Sequence, residues 1–402
     1  MNHSLDLIFQ RLLSHVTQEH YRFLYAQFRI DDRLTGLVGP RGVGKTTLLL
    51  QVIKHQFPRD SSVFYFSADH FYFDQTSLYA FIEQRYLREG TTTFFIDEIH
   101  QYKNWNQEIK NIYDGFPDIK LIFSGSSSLD LIKGSYDLSR RAKLYHLPGM
   151  SFREYLNFET GTRFEKITFE ALILNPKKYD ALLTEIPKIK GHFDKYLSQG
   201  FYPFYAENPL SYHEKLIEVI EKTIYEDIAN FFSLKTTNLH HFKKILSFLA
   251  SIPPGQVNVH NIAKNLSIDD KTVFNYLHIL NETGLVNLIY PSESGNSGLR
   301  RPEKIFLNNV NLLYALVGNI GSPVNIGNVR ELFFIQAIQH ANMHVFHSKT
   351  GDYKVEDVIF EIGGRNKTKE QIQHIDNAFI VKDDILISSH RTIPLMLFGF
   401  LY

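Results

Sequence analysis

Twelve residues near the amino terminus, GPRGVGKTTLLL at 39–50, constrain the fold more than any other stretch of the chain. Glycines beside a lysine and a threonine allow a loop whose backbone N–H groups all turn inward, an arrangement that holds phosphates. The short apolar run LTGLVG precedes the loop, and an apolar helical pattern follows it. A strand, a loop and a helix in this order predict a phosphate-binding loop of the Walker A type.

Several loop residues receive a specific role from this pattern. We expect Lys45 to reach the β- and γ-phosphates and the hydroxyl of Thr46 to ligate Mg²⁺. The helix that begins near Lys45 adds its positive end to the same site, and Arg41 supplies a further cation at the rim. The expected nucleotide-binding residues are Gly39, Pro40, Arg41, Gly42, Val43, Gly44, Lys45, Thr46 and Thr47.

The stretch TTTFFIDEIH at 91–100 predicts the second half of the same site. A buried strand ends there in two acids. We expect Asp97 to hold magnesium through water and Glu98 to polarise an attacking water as a general base. A solvated strand end is the alternative explanation for the two acids. An acid directly after the Walker B aspartate is typical of the additional-strand P-loop ATPases, and it distinguishes this chain from small GTPases and from kinases of small metabolites.

Two further stretches suggest how the site is completed. LIFSGSSS at 121–128 predicts a strand whose polar end lies between the two halves, so Ser124 and Ser126 are candidate sensors of the γ-phosphate. A helix N-cap formed by the serine run is the alternative. DLSRRA at 137–142 presents Arg140 and Arg141 as candidate arginine fingers, which often act across a subunit interface. A surface pair of arginines is the other explanation.

Composition excludes several classes of protein. The 402-residue chain has no cysteine, which excludes disulfides, thiolate catalysis and cysteine-based zinc sites. Its 43 basic and 43 acidic residues cancel, so no overall charge draws it to nucleic acid or to acidic membranes. No apolar window approaches the length of a membrane span. We therefore expect a cytoplasmic protein that does not contact a membrane.

The motifs together resemble a known group. GPRGVGKTT, FFIDEIHQYKNWNQEIKNIYD, FSGSSSLDL, LSRRA and LPGMSFREYL look like AAA-type ATP-binding proteins of bacteria and archaea, a group close to the STAND class of signalling NTPases and to the extended AAA ATPases. The likeness is strong over 32–155. It implies an α/β ASCE core, a helical lid, a winged helix and a C-terminal domain that resembles a restriction endonuclease. It also implies oligomers, ring-like ones among them.

The alternation of strand and helix patterns, read with this resemblance, divides the chain. Five short apolar runs between 34 and 147 alternate with helices, which predicts a parallel sheet covered on both faces. The expected segments are an N-terminal helical segment at 1–30, a P-loop ATPase core at 31–150, a helical lid and linker at 151–235, a winged-helix domain at 236–305 and an endonuclease-like α/β domain at 306–402.

The two C-terminal segments predict weaker activities. DNA binding through the winged helix is one interpretation, and a protein-binding or lid module is the other. Charges balance over 256–306, so any DNA contact there is expected to be weak. In the last segment Glu331, Asp357 and Glu361 follow the order of an endonuclease-like fold, which places a lysine two residues after the last acid. Gly363 stands there, Arg365 and Lys367 lack the expected spacing, and we expect no nuclease activity.

The sequence therefore favours a magnesium-dependent ATPase that couples hydrolysis to rearrangement of its domains, in a homo-oligomer. ATP or ADP and Mg²⁺ are the expected ligands. A slow nucleotide-gated switch or signalling scaffold is the first alternative. An ATP-controlled DNA-binding protein with a degenerate nuclease-like domain is the second.

Overall fold

A computed structural model describes most of the chain, and its two compact units are Met1–Gly149 and Met150–Tyr402. Within the described residues, no helix is both long and apolar enough to cross a membrane. The side chains of residues 3, 230, 231, 236 and 237 are not described. The residues that the structure describes are 3–17, 20–58, 60–125, 138, 141–232, 234, 236–253, 258–292, 301–368 and 370–402.

The first unit is built on a five-stranded parallel sheet, as the five apolar runs predict. The strands stand in the order β2-β3-β4-β1-β5, and all neighbouring pairs are parallel. The central strands are buried, as expected for a parallel sheet, whereas β5 forms a partly exposed edge. The strands are β1 (Leu34–Val38), β2 (Val63–Ser67), β3 (Thr93–Asp97), β4 (Lys120–Gly125) and β5 (Lys143–His146).

The helices of this unit begin and end at recognisable signals. The side chain of Ser77 accepts a hydrogen bond at the start of α3, and Gly90 ends that helix in the left-handed conformation. The first helix packs on β2, where the ring of Phe9 lies 5.5 Å from that of Phe64. The helices are α1 (His3–His15), α2 (Lys45–Gln56), α3 (Leu78–Glu89) and α4 (Trp105–Gly115).

The second unit is mostly helical up to residue 340. A capping box at Ser151 and Glu154 starts its first helix, and a π-helical segment, Thr223–Ile228, separates α9 from α10. Its helices are α5 (Phe152–Thr160), α6 (Phe169–Leu174), α7 (Asp180–Thr184), α8 (Ile189–Gln199), α9 (Tyr212–Lys222), α10 (Ala229–Phe232), α11 (Thr236–Ser251), α12 (Val259–Leu266), α13 (Asp270–Glu282), α14 (Val310–Asn319) and α15 (Ile326–His340).

Two sheets complete the second unit. An antiparallel pair, β6 (Val286–Ile289) and β7 (Lys304–Leu307), follows α13. The larger sheet has the order β12-β11-β10-β9-β8. The pairs β10–β11 and β11–β12 are parallel, whereas β8–β9 and β9–β10 are antiparallel. Its strands are β8 (Phe346–His347), β9 (Tyr353–Val355), β10 (Val358–Gly363), β11 (Ala378–Lys382) and β12 (Thr392–Pro394).

Candidate nucleotide-binding site

The sheet order of the first unit brings the separate motifs to one edge. Strand β4 lies between β1 and β3, and its register pairs Leu37 with Ser124 and Ile96 with Phe123. Because parallel strands end at the same edge, the loop after β1, the acids after β3 and the polar end of β4 become neighbours. This order, with a strand inserted between the two nucleotide motifs, defines a P-loop fold of the additional-strand class.

Glycines are required in the loop for two different reasons. Gly42 and Gly44 have φ angles of 81° and 92°, which side chains of L-residues rarely adopt. At Gly39 the constraint is space, since a Cβ there would lie 2.2 Å from the carbonyl oxygen of Leu147. Helix α2 begins at Lys45, immediately after the left-handed Gly44. The loop therefore leads directly into the positive end of a helix dipole, which favours an anion.

Two cations hold this loop. Lys45 is 4% exposed, and its Nζ donates to the carbonyl oxygens of Gly39 and Pro40, both at 2.9 Å. Arg22 is buried as well and donates to the carbonyl oxygen of Val43 and, at 2.7 Å, to that of Pro148. Sequence reasoning did not select Arg22, because it lies outside every motif.

Hydroxyl groups converge on the carboxylate of Asp97. Thr46 Oγ1 donates to its Oδ2 at 2.5 Å, and Tyr65 donates to the same oxygen at 2.9 Å. Ser124 Oγ donates to the other oxygen, Oδ1. Burial, and after it the negative charge of Asp97, raises the pKa of Tyr65 far above its usual value, so its phenol remains a donor. Tyr65 was not predicted from the sequence.

These oxygens suit a magnesium ion by their chemistry. Magnesium prefers hard oxygen ligands, keeps several waters and binds through one or two protein groups together with phosphate oxygens. The Thr46 hydroxyl and the Asp97 carboxylate offer such oxygens side by side, next to the phosphate loop. A larger protein cage is not found, since no group of three or more acidic or histidine side chains among the described residues is arranged to hold a metal.

Glu98 follows in a conformation of its own. Its backbone is left-handed, with φ 49° and ψ 39°, and its N–H donates to Ser124 Oγ and to Asp97 Oδ1, both at 3.2 Å. Its Oε2 is buried and makes no hydrogen bond to any described residue. The Nδ1 of His100, an almost fully buried ring, lies 3.4 Å from that oxygen. This oxygen of Glu98 therefore lies against the buried His100 ring.

The other candidate residues fall in different places. Arg141 lies near the start of β5, at the end of the sheet opposite the phosphate loop, since Thr35 near the start of β1 pairs with Lys143. There it contacts Asp114 at 3.3 Å. The structure does not bring it to the loop of its own chain. Ser126 and Arg140 lie outside the described residues.

A second charged cluster lies in the C-terminal sheet. Glu361 is 1% exposed on β10 and forms an ion pair with Lys367. The side chain of Lys367 therefore reaches Glu361 from the next turn, although the spacing of the two residues in the sequence is not the expected one. Asp357 is not part of this cluster, since its side chain is fully exposed. Asp352 stands near Glu361 instead, and it accepts from the backbone N–H of Ile362 at 2.8 Å.

Lysines compensate the acids of this cluster. Lys304 contacts Glu331 at 2.9 Å and Asp352 at 3.9 Å. Two ammonium groups thus face three carboxylates.

Comparison with known proteins finds a family that is similar to the first unit. Residues 31–156 match a family described as an AAA domain, and residues 190–322 match a domain of unknown function (DUF8612). The uncharacterized protein MJ1637 of Methanocaldococcus jannaschii is 28% identical to this chain, over 90% of this chain and 84% of its own length.

Solved structures resemble this chain weakly. AMPPCP-bound DnaA from Aquifex aeolicus is 16% identical with a TM-score of 0.25, and DnaA bound to AMPPCP and single-stranded DNA is 15% identical with a TM-score of 0.26. Each alignment covers 70% of this chain and 88% of DnaA. PCH-2 of C. elegans is 18% identical over 38% of this chain and 43% of its own, with a TM-score of 0.24. TM-scores this low do not establish a shared fold.

The family match, the sheet order and the phosphate loop agree. The segment 31–156 is similar to the AAA domain family and has the sheet order and phosphate loop of an AAA-type P-loop fold.

Proposed function

We propose that this protein binds ATP with Mg²⁺ and hydrolyses it, and that hydrolysis drives rearrangement of its domains. One observation carries the proposal: Thr46, Asp97 and Ser124 are joined by hydrogen bonds beside the phosphate loop, and Glu98 follows directly. In this class of fold, that set supplies a magnesium site and a base. ATP and magnesium are the ligands that fit this combination of loop, hydroxyl and carboxylates.

Each side chain has a role in this proposal. The ammonium group of Lys45, which now donates to loop carbonyls, turns to the β- and γ-phosphate oxygens. Thr46 would ligate a magnesium ion and Asp97 would hold it through water, and the ion would supply positive charge beside the phosphates. Ser124, which donates a hydrogen bond to Asp97, senses the presence of the γ-phosphate. Catalysis in such sites is largely positioning and charge stabilisation, which these fixed groups provide.

The presence of Glu98 supports a protein that hydrolyses ATP over one that only binds it. It directly follows Asp97, the expected magnesium-holding acid, and a carboxylate at that position can accept a proton from an attacking water. Its Oε2 is buried 3.4 Å from Nδ1 of His100. The left-handed backbone directs this side chain while the N–H bonds to Asp97 and Ser124 hold the residue in place. A slow nucleotide-gated switch, the runner-up, needs no such acceptor. The rate of ATP turnover separates these two functions.

Nucleotide binding tests the proposal first. Titration with a fluorescent ATP analogue in Mg²⁺ is expected to saturate the wild type. Lys45→Ala removes charge-assisted hydrogen bonds worth about 1.5–3 kcal/mol, so its affinity should fall by roughly tenfold or more. Lys103→Ala, a change of an exposed lysine in the same unit, serves as the control and should bind like the wild type. Equal affinity in all three proteins would contradict the proposal.

We also propose that the protein works as a homo-oligomer. Arg141 stands at the opposite end of the sheet from the loop of its own chain, so any finger role for it requires a neighbouring subunit. The proposal leaves Arg140 as the other candidate.

ATP-controlled DNA binding is a second candidate function. Helices α12 and α13 followed by the β6–β7 hairpin have the order of a winged helix. However, Arg301 lies 3.8 Å from Asp270 and Lys304 pairs with Glu331, so acids of the same unit already face these cations. We expect weak binding at most. Fluorescence anisotropy with labelled DNA at low salt, with and without ATP, decides; no binding in either condition removes this candidate.

A further inference from the structure

Tyr65 is a side chain of the magnesium region that lies outside every motif recognised in the sequence. It lies in the middle of β2 and is 3% exposed. Its hydroxyl donates to Asp97 Oδ2 at 2.9 Å. The same oxygen accepts from Thr46, the expected magnesium ligand. A buried phenol thus contacts the metal-holding carboxylate directly from a neighbouring strand.

The register of the sheet explains how this contact forms. Ser67 pairs with Asp97, and Tyr65 stands two residues earlier on β2. Residues two apart on a strand face the same side of a sheet, so Tyr65 lies on the face of the Ser67–Asp97 pair. The length of the phenol side chain carries its hydroxyl along the strand to the carboxylate. The ring itself packs 6.1 Å from that of Phe9 on α1, which restricts its motion.

The carboxylate of Asp97 is fully engaged in this arrangement. Its Oδ1 accepts from Ser124 Oγ and from the backbone N–H of Glu98, while Oδ2 accepts from Thr46 and Tyr65. A carboxylate has about four lone-pair sites, so these donors fix its rotation about the Cβ–Cγ bond. Three of them belong to the recognised motifs or adjoin them. Tyr65 is the fourth, and it bonds to the oxygen that Thr46 shares.

We propose that Tyr65 is a positioning residue of the magnesium site: it holds Asp97 Oδ2 in the orientation that a metal-bound water or the ion requires. This inference rests on the proposed function. Side chains that orient a metal ligand are worth about 10–100-fold in metal affinity. Tyr65 touches neither nucleotide nor water in this role, because its contact with the site passes through Asp97.

The test is Tyr65→Phe, which removes the hydroxyl and keeps the ring that packs on Phe9. Binding of a fluorescent ATP analogue is followed as Mg²⁺ is titrated from an EDTA-containing buffer. We expect the Mg²⁺ concentration at half-saturation to rise about tenfold. Nucleotide affinity in EDTA should stay unchanged. Excess Mg²⁺ should restore binding, which a general packing defect would not allow.

The matched control is Tyr86→Phe, since the hydroxyl of Tyr86 also donates to an aspartate, Asp118, at 2.7 Å, but at an exposed position outside the site. Its Mg²⁺ midpoint should equal that of the wild type. An unchanged or lower midpoint for Tyr65→Phe would overturn the role of Tyr65 and leave the proposed function intact. A wild type whose nucleotide binding ignores Mg²⁺ would overturn both.

Discussion

At the scale of single residues, Glu98 has a backbone conformation that costs free energy. A residue other than glycine in the left-handed region is strained by roughly 1–2 kcal/mol. Strain of this kind persists where the surroundings impose it, and it is frequent at functional sites. Here the N–H bonds from Glu98 to Asp97 and Ser124 impose it. The catalytic candidate is therefore held in place at the expense of stability.

This strain gives a prediction for two substitutions. Glu98→Gly and Glu98→Ala both remove the carboxylate, but only glycine accepts the left-handed conformation freely. We expect Glu98→Gly to be about 0.5–1 kcal/mol more stable than Glu98→Ala, after allowance for the greater freedom of glycine in the unfolded chain. Urea denaturation of the two variants measures the difference. Equal stabilities would show that the conformation carries no strain.

The sequence predicted the residues of the site that belong to contiguous motifs. The structure brings Lys45, Thr46, Asp97 and Ser124 to one edge, because their strands are parallel neighbours. Their assigned roles stay predictions. Tyr65 escaped prediction since its role depends on the register between β2 and β3 and on the length of its side chain. In the run VFYFS it was indistinguishable from a core aromatic residue.

At the scale of elements, β10 carries a buried charge that one lysine compensates. Burial raises the pKa of Glu361, and the hydrogen bond from Lys367 opposes that rise. A carboxyl whose pKa is raised on folding favours the folded state at low pH. It costs stability as the pH rises through the folded-state pKa. The ion pair with Lys367 limits this cost at neutral pH.

Removal of the lysine is expected to expose that pH dependence. Lys367→Met removes the cation paired with the buried Glu361 and leaves the amide of Gln371 as a neutral donor beside it. This change costs about 3 kcal/mol of unfolding free energy when the acid is ionised. We expect a larger loss at pH 8 than at pH 5, because without Lys367 burial raises the pKa of Glu361 unopposed by that lysine and the protonated acid loses less. Chemical denaturation at both pH values measures it. A loss that does not depend on pH would argue against an ionised Glu361.

The control for this prediction lies on the adjacent strand. Lys354 contacts the fully exposed Asp357 at 3.7 Å, and exposed pairs contribute little. Lys354→Met should therefore change stability only slightly, and equally at both pH values.

Prediction succeeded for the strands of the first unit and was less accurate around β10. Five apolar runs became five parallel strands because buried parallel strands leave a clear apolar pattern. In the last sheet, a tight turn contains Glu356 at φ 50°, and Asp357 in that turn is exposed to solvent. Asp352, which precedes β9, lies near Glu361 instead. Nor did spacing along the sequence reveal that Lys367 returns to Glu361. Turn geometry, rather than residue type, decides both outcomes.

At the scale of the whole molecule, the proposal to test is that a nucleotide site is completed by an arginine of a neighbouring subunit. If an arginine acts across an interface, a subunit that lacks it still has Glu98 in its own site, and that site receives its arginine from the neighbouring subunit. Arg141→Ala and Glu98→Gln should each lose ATP turnover alone. Mixed in equal amounts, they should regain part of it, because some interfaces combine an intact Arg141 with an intact Glu98. No recovery, in a mixture shown by particle mass to form mixed oligomers, would contradict a role of Arg141 in trans.

The central claim is that Glu98 makes this nucleotide site hydrolytic. Steady-state ATP turnover of the wild type, of Glu98→Gln and of the control Glu83→Gln on α3 tests it most directly, with equal nucleotide binding verified for all three. Removal of a general base is expected to slow turnover by roughly 10²–10⁴-fold in Glu98→Gln and not in the control. A wild type that turns over ATP no faster than Glu98→Gln would contradict the claim and leave the protein as a nucleotide-gated switch.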